Sequence, residues 1–318
     1  MTSLNLELYR KLYLIRKAED AICRHYGEDE MKTPVHLSLG EEAIATGVIH
    51  ALSPEDQFFG TYRSHGIYLA RTGETDKFFA EMYGKATGLL RGKAGSMHLS
   101  APEYGMMGTS AIVSGIIPVA VGAGYAAKIS GSGRIVAAFF GDGATEEGVF
   151  WESINAACLM KLPVLFVCED NELAVFTNKA YRRGYDSLPA ILEHFRCTVI
   201  TDATTDVETI YHRTIEAIEA IKSKQQPCFL NLSYYRYLEH VGVCEDFHSG
   251  YRSRDEFEEW FKVDPIKIQR EKLLTMGCSQ EELRKLESAI DGQITRSIEL
   301  ARQAPFADDE ELCREVYA

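Results

Sequence analysis

Two short apolar runs, Ile135 to Phe140 and Leu162 to Cys168, constrain what this chain can fold into more than any other feature. Each is a block of consecutive hydrophobic residues without alternation, the pattern of a strand covered on both faces, and each is too short for a buried helix. Between them, Glu146 to Met160 places Val149, Phe150, Ile154, Ala157 and Cys158 on one helical face. Strand, helix and strand in that order make a βαβ unit, so the two strands are expected to be parallel and the protein to be of the α/β class.

Each strand is followed by a polar side chain: Asp142 within Gly141-Asp142-Gly143, and Asn171 at the end of Cys168-Glu169-Asp170-Asn171. Ligands of open α/β sheets sit beyond the carboxyl ends of the strands, so both residues are expected to face one crevice. A carboxylate and an amide oxygen suit magnesium, which takes few protein ligands and completes its octahedron from phosphate and water. The Leu173 carbonyl is a third candidate ligand. Gly141 and Gly143 have no Cβ, which lets backbone amides approach phosphate oxygens. Two other readings compete. Gly-Asp-Gly is also an ordinary turn after a strand. A dinucleotide fold requires Gly-x-Gly-x-x-Gly, but Glu146 stands where the third glycine belongs, and an acid there opposes a bare pyrophosphate. A metal-bridged diphosphate fits the residues better.

A chain of 318 residues with 46% hydrophobic content can bury a sizeable core, as one large domain over 1–318 or as two small ones. With 34 basic against 47 acidic residues, a net charge of −13 and no basic cluster, a nucleic-acid surface is excluded. No apolar run reaches the roughly 18 residues of a bilayer span, so no membrane partner is expected. Arg10, Lys11, Arg16, Lys17, Glu19 and Asp20 interrupt any signal-peptide core, which makes the cytoplasm the expected compartment. Eight scattered cysteines form no Cys-x-x-Cys pair, so neither zinc nor a disulfide framework is expected, and most should be reduced core residues.

Leu8, Leu12, Ile15 and Ile22 predict an amino-terminal helix over about residues 4–24, and Phe78, Phe79 and Met82 another, closed by Gly84. Six glycines between Gly84 and Gly108 predict a long irregular loop, a kind usually tied to function. Ile116 to Ile129 is an apolar helix rich in small residues, a candidate subunit contact. Val207 to Lys224 is an amphipathic helix, Cys228 to Tyr235 a strand, and Leu238 to Arg254 a polar loop. From about 255 to 318 the chain is expected to be helical: Asp264-Pro265 starts a helix, Gly277 stops it, Ser279 with Glu282 forms a capping box, and Pro305 ends the last helix. The tail bearing Asp308, Asp309, Glu310 and Glu311 reads as a solvated surface segment, with docking on a partner as the alternative.

Gly141-Asp142-Gly143, the helix carrying Glu152 and Asn155, and Lys161-Leu-Pro-Val-Leu-Phe-Val-Cys-Glu-Asp-Asn171 resemble the thiamine diphosphate signature of alpha subunits of the decarboxylating component in 2-oxo acid dehydrogenase complexes. The resemblance extends, in order, to His36-Leu-Ser-Leu-Gly-Glu-Glu-Ala43, Thr61-Tyr-Arg-Ser-His-Gly66, Gly92-Lys-Ala-Gly-Ser-Met-His98, Tyr235-Arg236 and Tyr251-Arg252-Ser-Arg254, nearly the whole chain. It implies a doubly wound, mostly parallel sheet with helices on both faces, the thiamine diphosphate-binding fold. It also implies thiamine diphosphate and magnesium as cofactors, with Asp142, Asn171 and Leu173 on the metal. Tyr62, Arg63, Ala111, Val113, Asp142, Gly143, Ala144, Asn171 and His240 would contact the cofactor. Arginine suits a bidentate phosphate grip. His240 would meet both the diphosphate and the reacting group, and His36 the substrate. His65 and His98 carry no more than adjacency to these motifs, and His248 no more than membership of the loop.

In this family a glutamate from a beta subunit activates the cofactor, so the resemblance implies an obligate alpha-beta assembly, a heterotetramer. The substrate would be a small 2-oxo acid or acetoin, and the acyl acceptor a lipoyl group on an acyltransferase. The few residues ahead of Leu8 favour the compact bacterial type over branched-chain enzymes. Two departures bear on the substrate. Val241 stands where animal relatives have a phosphorylated serine after the loop histidine, and the stretch from His240 to Tyr251 is longer than in the pyruvate branch. A two-subunit carboligase like transketolase, and a noncatalytic partner subunit, are the alternative readings.

Overall fold

The computed structural model describes residues 2–314. Met1 and residues 315–318, the last of the expected carboxyl-terminal region, lie outside the described residues. In chain order the helices are α1 (Thr2–His25), α2 (Glu42–Ala51), α3 (His65–Thr72), α4 (Asp76–Met82), α5 (Ile116–Ser130), α6 (Gly148–Met160), α7 (Leu188–Leu192), α8 (Val207–Lys224), α9 (Arg254–Lys262), α10 (Pro265–Thr275) and α11 (Gln280–Gln303). The strands are β1 (Gln57–Thr61), β2 (Met106–Ser110), β3 (Val136–Gly141), β4 (Val164–Asp170), β5 (Leu173–Ala174), β6 (Thr177–Asn178), β7 (Thr198–Asp202) and β8 (Cys228–Ser233).

Six strands form one sheet in the order β2-β1-β3-β4-β8-β7, and every pairing is parallel. The βαβ unit read from the two apolar runs is β3-α6-β4. It is paired from Val136 opposite Val164 to Gly141 opposite Glu169. Successive side chains of a strand point to opposite faces, and here both faces are covered. Ala137, Phe139, Leu165, Val167 and Leu230 join one core with residues of α1, α2 and α8. Val136, Ala138, Phe140, Val164, Phe166 and Phe229 join the other with residues of α5, α6 and α7. That is the doubly wound arrangement, and it explains why the two runs lack alternation. The chain leaves β1 for β2 on one side and returns to β3 on the other, so its winding reverses between β1 and β3.

Several caps follow the sequence closely. Asp206 accepts from Glu208 N to start α8, Asp264 accepts from Ile266 N and Lys267 N to start α10, and Ser279 with Glu282 forms the capping box of α11. Helix α6 begins later than expected because Asp142–Glu146 forms a tight 3-10 turn first. The glycine-rich stretch is irregular up to β2. The buried Glu81 carboxylate organises it, accepting from the amides of Leu90, Gly92, Ala94 and Gly95.

One expectation is corrected. The tail is not simply solvated: Glu311 is 6% exposed and accepts from Arg91 and Lys93, whose charges draw it onto the glycine-rich stretch. The loop after β8 is polar, as read from the sequence, and it is tightly held. Arg236, Asp246 and Arg252 are all buried, with Arg252 donating to Asp246, to Arg236 O and to Leu238 O. Of the eight cysteines, Cys158, Cys168, Cys197 and Cys228 are buried while Cys244 and Cys313 are exposed, and all are free thiols. Among the described residues no helix is long and apolar enough to cross a membrane.

Candidate active site

A cleft of about 300 Å³ opens at the carboxyl ends of β1, β3 and β4, where the winding reverses. Open α/β sheets bind ligands at such a point. Tyr62, Arg63, Val113, Asp142, Gly143, Ala144, Asn171, Leu173 and His240 all border it. Ala111 does not, although its neighbours Ser110 and Ile112 do. His36 reaches the site through its neighbours, its ring 4.4 Å from that of Tyr62 and 5.2 Å from that of His240.

At one end, Asp142 is 1% exposed and its Oδ1 has no hydrogen-bond partner. Its other oxygen accepts from Arg182, and Arg183 donates to its backbone carbonyl at 3.2 Å and to Glu146 at 2.8 Å. Asn171 donates from Nδ2 to the Tyr234 hydroxyl at 2.7 Å, while its Oδ1 accepts from Leu173 N at 3.0 Å. That oxygen keeps a second lone pair. A Cβ on Gly143 would meet Ala174 Cβ at 2.9 Å, so the turn and the β5-β6 hairpin are held in close contact. The orphaned buried carboxylate oxygen is the feature that fits a hard divalent cation.

At the other end Arg63, 7% exposed, donates from Nη1 to Leu37 O at 2.6 Å and from Nη2 to His240 O at 2.9 Å. One guanidinium thus ties the segment before α2 to the loop after β8. Ring distances of 4.4, 5.2 and 5.5 Å among His36, Tyr62 and His240 close the cluster.

Residues 10–310 match the family of the dehydrogenase E1 component. The alpha subunit of the pyruvate dehydrogenase E1 component from Porphyra purpurea is 34% identical, with 98% of this chain and 92% of that protein covered. The alpha subunit of the acetoin:2,6-dichlorophenolindophenol oxidoreductase of Bacillus subtilis (strain 168) is 31% identical over 98% of this chain and 93% of that protein. The pyruvate dehydrogenase E1 alpha subunit of Zymomonas mobilis is 32% identical over 96% and 86%. The chain belongs to the dehydrogenase E1 component family. Thiamine diphosphate is the cofactor that membership implies.

The charges of this E1 chain are shifted by their surroundings. Burial, with Asp170 nearby, pushes the Asp142 carboxyl up to about 6 against the pull of Arg182 and Arg183. An acid discouraged from ionising, with one oxygen free, gains most from a cation. Burial and the Arg63 guanidinium hold both His36 and His240 down at about 3, so both rings are neutral near pH 7. Neutral imidazoles can donate a hydrogen bond to a developing oxyanion but hold no spare proton.

Five residues at or against the cleft lie beyond the reading from sequence: Glu41, Glu169, Tyr234, Arg182 and Arg183. Glu41 and Glu169 sit inside quoted motifs, and a charged residue ending an apolar strand, as Glu169 does, was a usable signal. Tyr234 sits directly after β8. Arg182 and Arg183 come from a stretch with no recognisable pattern, and nothing local marks them as partners of Asp142.

Proposed function

We propose that this chain is the alpha subunit of a thiamine diphosphate-dependent pyruvate or acetoin dehydrogenase, working as a single diphosphate-binding unit. Magnesium would be held by Asp142 Oδ1, Asn171 Oδ1 and the Leu173 carbonyl, with the diphosphate completing its shell. Tyr62, Arg63, Val113, Gly143, Ala144 and His240 would contact the cofactor, and His36 and His240 the substrate. The observation that carries this reading is the buried Asp142 with an unpartnered oxygen at the lip of the sheet.

Bound thiamine diphosphate supplies the carbon nucleophile that takes up a substrate carbonyl and the electron sink for the bond that breaks. The chain's own residues orient and shield. Asp142 and Asn171 anchor the diphosphate end, Arg63 places His240, and the two neutral imidazoles can donate to negative charge on the substrate oxygen. Activation of the cofactor would come from a glutamate of a beta subunit, in an alpha-beta heterotetramer in the cytoplasm, with a lipoyl-bearing acyltransferase as acceptor. Exposed apolar residues support such an assembly: Ile112, Val113 and Val175 at the mouth, and Val119, Tyr125 and Ile129 on α5.

The test is calorimetry of thiamine diphosphate binding by the chain assembled with its partner subunit, with and without magnesium, together with dye-linked turnover of pyruvate and acetoin. Magnesium-dependent binding and activity only in the assembly are expected. An assembly that binds no thiamine diphosphate, or a lone chain that decarboxylates pyruvate at a normal enzymatic rate, would refute the reading.

A further inference from the structure

We infer that Glu41 is the general base of this site and that its substrate is a neutral 2-hydroxyketone, whose hydroxyl proton the carboxylate accepts as the bond between carbonyl and carbinol carbons breaks. This rests on the function proposed above and narrows its substrate class.

Glu41 stands at the start of α2, is 2% exposed and borders the cleft. Ser38 and Tyr234 hold the carboxyl group by hydrogen bonds, yet Oε2 has no partner. A buried polar atom left unpaired carries a desolvation penalty, which a hydroxyl donated by a ligand in the cleft removes. The simpler role, counter-ion to Arg63, does not account for it. Glu169, 4% exposed, also lies beside Arg63. Burial pushes the Glu169 carboxyl well above the usual range, so it holds its proton and leaves Glu41 as the acid that can exchange one beside Arg63.

The neighbours lack this capacity. Burial pushes Glu41 up to about 7, where it can take or hold a proton in neutral solution, whereas His36 and His240, held at about 3, are poor bases. The chemistry then selects the substrate. Carbon dioxide leaves a 2-oxo acid without any proton being removed, but an aldehyde leaves a hydroxyketone only if the hydroxyl is deprotonated. In that step the O–H bond breaks and its proton passes to Glu41 Oε2. The O–H pair becomes the second bond of the aldehyde carbonyl, and the pair of the broken C–C bond remains on the former ketone carbon, stabilised by the cofactor.

The experiment uses the assembled enzyme loaded with magnesium and thiamine diphosphate, acetoin as the probe, and the variants Glu41→Gln and Glu41→Asp. Glu41→Gln is expected to lower kcat for acetoin by about 100-fold with the cofactor Kd, read by calorimetry, held within about twofold. Glu41→Asp, which keeps a base, is expected to recover at least about tenfold of that loss. A Glu41→Gln enzyme that retains the acetoin rate overturns the inference. So does one that loses cofactor binding and acetoin cleavage together, which makes Glu41 structural. Wild-type enzyme that binds the cofactor and turns over pyruvate but not acetoin also overturns it, while the proposed function stands. A wild-type assembly that binds no thiamine diphosphate defeats both.

Discussion

The two ends of the cleft are built differently. Asp142 and Asn171 follow neighbouring strands, and the parallel ladder that sets Gly141 opposite Glu169 carries both residues to the same edge. Their juxtaposition comes from regular backbone within one βαβ unit. The other end gathers His36 and Glu41, Arg63, Tyr234 and His240 from segments far apart in the chain, and much of that gathering runs through one guanidinium, donating to Leu37 O and His240 O. A site end set by a sheet should tolerate loss of a neighbouring side chain, and one set by a single buried cation should not.

The largest expected effect tests that contrast directly. Arg63→Ala leaves Glu41 and Glu169 buried without their cation and should cost about 3–5 kcal/mol in urea unfolding; a loss below about 1 kcal/mol would mean the second end is held some other way. Asp142→Ala should weaken magnesium-dependent thiamine diphosphate binding on the order of 100-fold, about 2.7 kcal/mol, while leaving the sheet folded. Unaltered binding in calorimetry would remove Asp142 from the metal. Gly143→Ala drives a methyl to within 2.9 Å of Ala174 Cβ. It should cost about 1–3 kcal/mol by overpacking, and an unchanged melting temperature would show that the hairpin gives way freely.

The smallest effect concerns pH. Burial holds His36 and His240 at about 3, below the ordinary 6.5, so the unfolded chain binds protons that the folded chain refuses. Stability should therefore fall as the pH drops from about 6.5 toward 3. Glu41, raised to about 7, acts in the opposite sense, losing its contribution as the pH rises from about 4.5 through 7. His240→Asn should flatten the decline in melting temperature between about pH 7 and pH 5. An unchanged slope would mean the ring is not titrated by unfolding.

Much of the first end was legible in advance. A continuous apolar run announces a strand buried on both faces, and the polar residue ending it announces the crevice. The strands β1, β2 and β7 were not legible: Gln57, Gly60 and Thr61 in β1, or Met106-Met107-Gly108-Thr109-Ser110 in β2, have no strand period of their own. They are strands because a neighbour offers a ladder to pair with. His240 and Arg63 were found through motif resemblance, but the bond between them spans 177 positions and no local pattern encodes it. Arg182 meeting Asp142, and Glu311 folding onto Arg91, were equally invisible, because a charge in sequence does not say which opposite charge it will find.

The sequence by itself determined the α/β class, the β3-α6-β4 unit, the helix caps and the placing of one acid and one amide beyond two strands, since these depend on side-chain period and near-neighbour hydrogen bonds. Only the tertiary structure decided that two buried carboxyl groups share one guanidinium, that both histidines are neutral, and that Glu41, bordering the cleft, keeps an unpartnered oxygen. Those properties come from burial and from charges brought together over long stretches of chain, and neither exists until the sheet and its covering helices have closed around them.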